Sequence, residues 1–165
     1  MRGKWAAGIE PRNFTWVYQG RLAVAERPGG ATRVHRSVRR EEELRWLKNQ
    51  KFTRVLSTMT LNANQRAYEE HGFSVGTYPL SGDARDTEVM NQLFVDLTKS
   101  LEGGEIILLH ADDVSDRLLG TLAGYLLWTG RVTSEAIALA SIERLFRRSI
   151  SIAGRDILKS LPERS

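Results

Sequence analysis

The chain has 165 residues, a length that suits one domain around one buried core, and its 41 % hydrophobic and 27 % charged residues are ordinary for a soluble globular protein. Cysteine is absent, which excludes disulfides, thiolate metal sites and every mechanism that needs a cysteine nucleophile. Lysine plus arginine number 24 and aspartate plus glutamate 20, and the net charge of +4 falls short of what a dedicated nucleic-acid binder carries.

No apolar run reaches the roughly 18 residues that cross a membrane, and Met1 to Glu10 lacks the apolar stretch of a secretory signal. A cytoplasmic protein is the default expectation. Residues 1–12 mix glycine, alanine and charge and are expected as a loose, flexible arm, followed by a single domain over 13–165. Asn13 to Tyr18 is rich in aromatic and β-branched residues and reads as a strand. Gln19-Gly20 is a turn, Arg21 to Ala25 a second strand, and Pro28-Gly29-Gly30 a loop. A helix is expected over Glu41 to Lys48, with Glu41, Glu42 and Glu43 at its N-terminus, where the macrodipole favours acids. Phe52 to Thr58 reads as a buried strand. Asn62 to His71 reads as a short helix closed by Gly72, and Phe73 to Tyr78 as the next strand.

Asp86 to Leu101 is the best amphipathic helix of the chain, and Gly103-Gly104 stops it. Ile106 to Leu109 is a continuous apolar run, the pattern of a central strand covered on both faces. Helices are expected over Arg117 to Trp128, Ser134 to Arg147 and Ala153 to Leu161. Strands that alternate with helices through the middle of the chain predict an α/β fold, a mainly parallel central sheet flanked by helices.

The informative segment is ILLHADDVSDRLLGTLAGYLL, residues 107–127: a central strand ending at His110, a tight loop, then a helix. Ligands bind at the C-terminal ends of strands in open α/β sheets, and a loop that feeds a helix N-terminus suits anions. Here His110 and Ala111 are followed by five residues and then Arg117. That frame resembles the cysteine-dependent tyrosine phosphatase superfamily, which carries His-Cys, five residues and Arg between just such a strand and helix. NFTWVYQGRLA at 13–23, the apolar Leu122-Ala123 and Tyr125-Leu126, and Ser149-Ile150 are similar to segments of the small atypical dual-specificity phosphatases. The resemblance covers residues 13 to about 157. It implies a three-layer phosphatase-like sandwich.

What it implies about chemistry turns on the departures. The family's thiolate attacks phosphorus, and its position here is Ala111, a methyl with no lone pair. The family's loop glycine is Val114, the hydroxyl residue after its arginine is Leu118, and the next position is Leu119. His110 and Arg117 persist. Arg117 and Ser115 are the anion-binding candidates. Asp83 is the best positional match to the family's general acid, and its alternative role is that of a turn residue beside Gly82. Asp86 is either an offset general acid or the cap of the following helix.

The loop also carries Asp112, Asp113 and Asp116. A carboxylate about 8 Å from a phosphate dianion at an effective dielectric near 20 costs roughly 4 kcal/mol before screening. An Arg117–Asp113 or Arg117–Asp116 pair filling the cradle is expected at least as readily as a bound anion. The three aspartates are weighed as a magnesium or calcium site, but their spacing matches no EF-hand loop, a solvated acidic turn is the simpler reading, and no metal or other cofactor is expected. His35 and His71 suggest no zinc motif.

Basic stretches at Arg33 to Arg40 and at Arg144, Arg147 and Arg148 suit a solvated face or an acidic partner such as a phosphoprotein. Nucleic acid is disfavoured, because no aromatic residues interleave with them. Three functions share the fold. The first is a catalytically impaired pseudophosphatase that acts by binding or scaffolding. The second is a phosphoester hydrolase with remodelled aspartate or metal chemistry. The third is an active cysteine enzyme in which Ala111 is an artificial replacement.

Overall fold

The computed structural model describes residues 7–30, 36–61 and 64–164. Five strands form one sheet: β1 (Thr15–Tyr18), β2 (Leu22–Glu26), β3 (Arg54–Ser57), β4 (Ser74–Thr77) and β5 (Ile107–Ala111). Their order is β1-β2-β5-β3-β4. The tight turn after Tyr18 makes β1 and β2 antiparallel. The other three pairings are parallel, because helical crossovers connect them. The helices are α1 (Arg36–Asn49), α2 (Gln65–Glu70), α3 (Asp86–Glu102), α4 (Asp116–Trp128), α5 (Glu135–Phe146) and the single turn α6 (Ile152–Arg155).

Side-chain alternation along the inner strands divides the interior in two. Leu22, Val24, Leu56, Ile107 and Leu109 face one core, with Leu93, Phe94, Leu118, Leu122 and Ile142 from the later helices. Ala23, Ala25, Val55 and Leu108 face the other, with Leu44, Leu47 and Tyr68 from α1 and α2. The result is the expected three-layer sandwich with a mainly parallel sheet. Among the described residues no helix is long and apolar enough to cross a membrane.

Three expectations need correction. The chain over 7–12 is fastened rather than loose: the N–H of Ile9 donates to the carbonyl of Glu42, and the N–H of Glu26 to that of Arg12. Residues 1–6 lie outside the described residues. Helix α1 begins at Arg36, so Glu41 to Glu43 are interior to it and serve no helix end. Glu43 is buried, where it accepts the Gly29 N–H and pairs with Arg39 at 3.4 Å. Glu41 and Glu42 pair elsewhere, with His71 and Arg45. The last predicted helix splits into α6 and a 3₁₀ turn over Asp156–Ser160.

A Cβ on Gly120 of α4 would lie 2.1 Å from the carbonyl oxygen of Gly154, and one on Gly154 would lie 2.3 Å from that of Asp116. Backbone therefore meets backbone where α6 crosses α4, and only glycine permits it. Gly120→Ala is expected to lower stability by about 1–3 kcal/mol through overpacking. A urea titration checks this as a lower midpoint at unchanged slope.

Candidate functional site

The loop between β5 and α4 lies at the C-terminal end of the parallel strands. Strand β5 runs through His110 and Ala111, which pair with Ala25 and Glu26 of β2. Alternation sends these two neighbours to opposite faces. Ala111 lines a cavity of about 260 Å³ with Thr58, Met59, Leu80, Ser115 and Arg117. His110 is buried on the far face, where its Nε2 lies 2.9 Å from the Tyr68 hydroxyl. Asn64 donates to that hydroxyl at 3.1 Å and to the Pro28 carbonyl at 2.9 Å. With Nδ1 of His110 3.3 Å from the Ala111 carbonyl, the arrangement fits a neutral ring protonated at Nδ1, accepting at Nε2 from Tyr68.

Helix α4 starts one residue before the sequence suggests. Ser115 is its N-cap and accepts the Leu118 N–H at 3.3 Å. That role uses the hydroxyl proposed for anions, though a capping oxygen still faces the cavity's loop. Val114 is buried with Leu118 in the core below, so the loop is anchored by packing where the resembled family wraps on glycine. No residue from Ala111 to Arg117 has positive φ. The N–H groups of Asp113, Val114, Ser115, Asp116 and Arg117 meet no acceptor among the described residues.

Asp112 and Asp113 also line this cavity, and Asp116 does not. Asp112 pairs with the largely buried Arg27 at 3.4 Å. Asp116 accepts from Arg148 and, at 3.0 Å, from the N–H of Ser151. Ser151 and Arg148 pull its carboxyl down to about 2. Arg148 also donates to the Val114 carbonyl at 2.8 Å. The expected Arg117–Asp113 and Arg117–Asp116 pairs do not form. Arg117 is exposed, its guanidinium has no partner among the described residues, and it lies against Gly82, where a Cβ would come within 2.8 Å of its Nη2. Among the described residues no three acidic or histidine side chains gather where they could hold a metal. His71 pairs with Glu41 at 2.6 Å, while His35 lies outside the described residues.

On the facing loop, Asp86 accepts the N–H groups of Ser81 at 2.9 Å and Gly82 at 2.8 Å. It is the first residue of α3 and fastens the loop rather than capping the helix in the usual way. Asp83 is exposed. Arg85 donates to it from its guanidinium at 2.9 Å and its backbone at 2.8 Å, and Ser81 from its hydroxyl at 3.0 Å. These bonds hold its carboxyl well below the usual carboxylate range. A general acid must carry a proton near neutral pH, and Asp83 in this state does not.

Sequence reasoning missed Arg27, Thr58 and the Tyr68–Asn64 relay. Arg148 was noticed only as part of a basic run. The signal for Arg27 was its place directly after β2, the strand beside β5 (Glu26 opposite Ala111), but parallel neighbours cannot be paired from spacing alone.

Burial pushes His110 down to about 4 from an ordinary value of 6.5. The unfolded chain therefore binds the proton first, and folding stability contributed by the neutral ring is present above pH 6.5 and lost as pH falls towards 4. The expected loss is about 3 kcal/mol at about 1.36 kcal/mol per pKa unit. Urea unfolding across that range checks it, with His110→Gln removing that part of the slope.

No family model matches the sequence, and no curated protein does. Solved structures match over nearly the whole chain. Kinase associated phosphatase, with serine in place of its catalytic-site cysteine, aligns with a TM-score of 0.72 at 18 % identity over 90 % of this chain and 92 % of that one. Tk-PTP in its active form aligns at 0.70 and 19 % identity over 93 % and 98 %. TpbA of P. aeruginosa, solved with phosphotyrosine, aligns at 0.62 and 16 % identity over 96 % of both chains. At such identities what is shared is the fold.

Proposed function

We propose that this chain, whose fold is that of the cysteine-dependent tyrosine and dual-specificity phosphatases, holds phosphorylated ligands without hydrolysing them. It is a pseudophosphatase that acts by binding or scaffolding, with a phosphoprotein as its natural class of partner. One observation carries the reading: Ala111, which stands where the resembled family has its cysteine, lines the cavity together with an Arg117 whose guanidinium is unengaged among the described residues. A methyl cannot form the covalent intermediate, whereas a free guanidinium suits an oxyanion with paired N–H donors.

The removal of two acids supports binding. Asp112 and Asp116 spend their charge on Arg27 and Arg148, so the repulsion reckoned from the sequence falls mainly to Asp113. The same pairs speak against metal-assisted hydrolysis, which needs those carboxylates free. Asp83, ionised and tied to Arg85, leaves an expelled alkoxide without a proton donor.

The test is a pair of measurements on the purified chain. Aryl phosphate turnover is expected at background with and without divalent metal, while vanadate or sulfate binds and Arg117→Ala weakens that binding by roughly ten-fold or more. Ala111→Cys alone is expected to restore little turnover, because Val114 and Leu118 remain. Ala111→Cys with Val114→Gly and Leu118→Ser is expected to bind vanadate more tightly than the wild type. Strong metal-independent turnover by the unaltered chain overturns the reading.

A further inference from the structure

A second cleft, of about 410 Å³, opens at the opposite end of the sheet from the loop. It lies where β1 turns into β2 and where α3 and α4 end. Tyr18, Arg21, Leu101, Glu102, Arg131 and Arg164 line it. Three cations thus face one carboxylate, and Glu102 forms no ion pair with any of them. Eight other arginines of the described residues are neutralised by acids.

Two of the three cations have a structural task. Arg21 donates to the Leu101 carbonyl and Arg164, at 2.8 Å, to that of Thr129. They offset the partial negative charge at the ends of α3 and α4. Arg131 has no such task. Its guanidinium rests on the Tyr18 ring, 4.6 Å from the centroid, and its side chain meets no acceptor among the described residues. The stacking fixes the plane of the guanidinium and leaves its edge donors free. Beneath it the Tyr18 hydroxyl is buried and has no hydrogen-bond partner among the described residues. A fold seldom leaves a buried donor unmet, and here one sits under an unmet cation.

We propose that this cleft is a binding site for a small molecule that carries an oxyanionic group, phosphate or carboxylate, on an apolar body. The oxyanion engages the free edge of Arg131, and the apolar body lies towards Leu101. The volume exceeds what a bare inorganic anion fills, which is why a body is part of the assignment. The site is independent of the loop after β5, and the two are separable by mutation.

The probes are phenyl phosphate and benzoate, titrated into the full-length chain carrying Arg117→Ala so that the loop contributes nothing. The readout is the indole N–H resonance of Trp128, on which Arg164 stacks at 5.0 Å. A saturable shift is expected, weakened roughly ten-fold or more by Arg131→Met and tightened by Glu102→Gln, which removes the one opposing charge. Tighter binding of phenyl phosphate identifies phosphate as the group, and tighter binding of benzoate identifies carboxylate. Should Arg131→Met fail to fold, Glu102→Gln decides alone. A shift that does not saturate, or that Glu102→Gln leaves unmoved, overturns the proposal.

Discussion

Strand β5 is buried on both faces, and its side chains must therefore alternate between two cores. That constraint decides what each residue of the His110-Ala111 pair can do. His110 falls on the side of α1 and α2, where Tyr68 and Asn64 satisfy it away from the cavity. Ala111 falls on the side of the later helices, at the floor of the hollow that Arg117 overlooks. The histidine that remains is a brace for the end of the strand, and the position with access to a ligand is the one that carries no reactive atom.

The electrostatics of the loop follow from what the neighbouring elements bring to it. Counted in one dimension, three aspartates surround one arginine. In the fold, Arg27 reaches Asp112 from beyond β2, and Arg148 reaches Asp116 from beyond α5. Each pair is partly exposed and adds little stability of its own. Their effect is positional: they engage two of the three acids and leave Asp113 as the unpaired carboxylate that shares the cavity with Arg117. The loop thereby carries less unpaired negative charge than its composition suggests.

Much of the architecture was legible. The apolar run Ile106 to Leu109 announced a central strand, because burial on both sheet faces writes itself into sequence, and the aromatic and β-branched residues of NFTWVYQGRLA announced the β1–β2 pair. The frame from His110 to Arg117 marked the site. What was not legible depended on distance in the chain. Asp116 and Arg148 give no local sign that they meet, and Glu43 reads as a helix-start acid although it is buried against Gly29. The contact between Gly120 and Gly154 was hidden for a similar reason, since it is set by the crossing of α4 and α6 rather than by propensity.

That crossing has a wider consequence. The segment after α5 supplies Arg148 to the Val114 carbonyl, the Ser151 N–H to Asp116, and the Gly154 backbone to the face of α4. The tail and the loop therefore form one cooperative unit, able to open only together. Loosening of the segment after α5 would therefore be felt at the start of α4 and in the loop before it, ahead of the sheet.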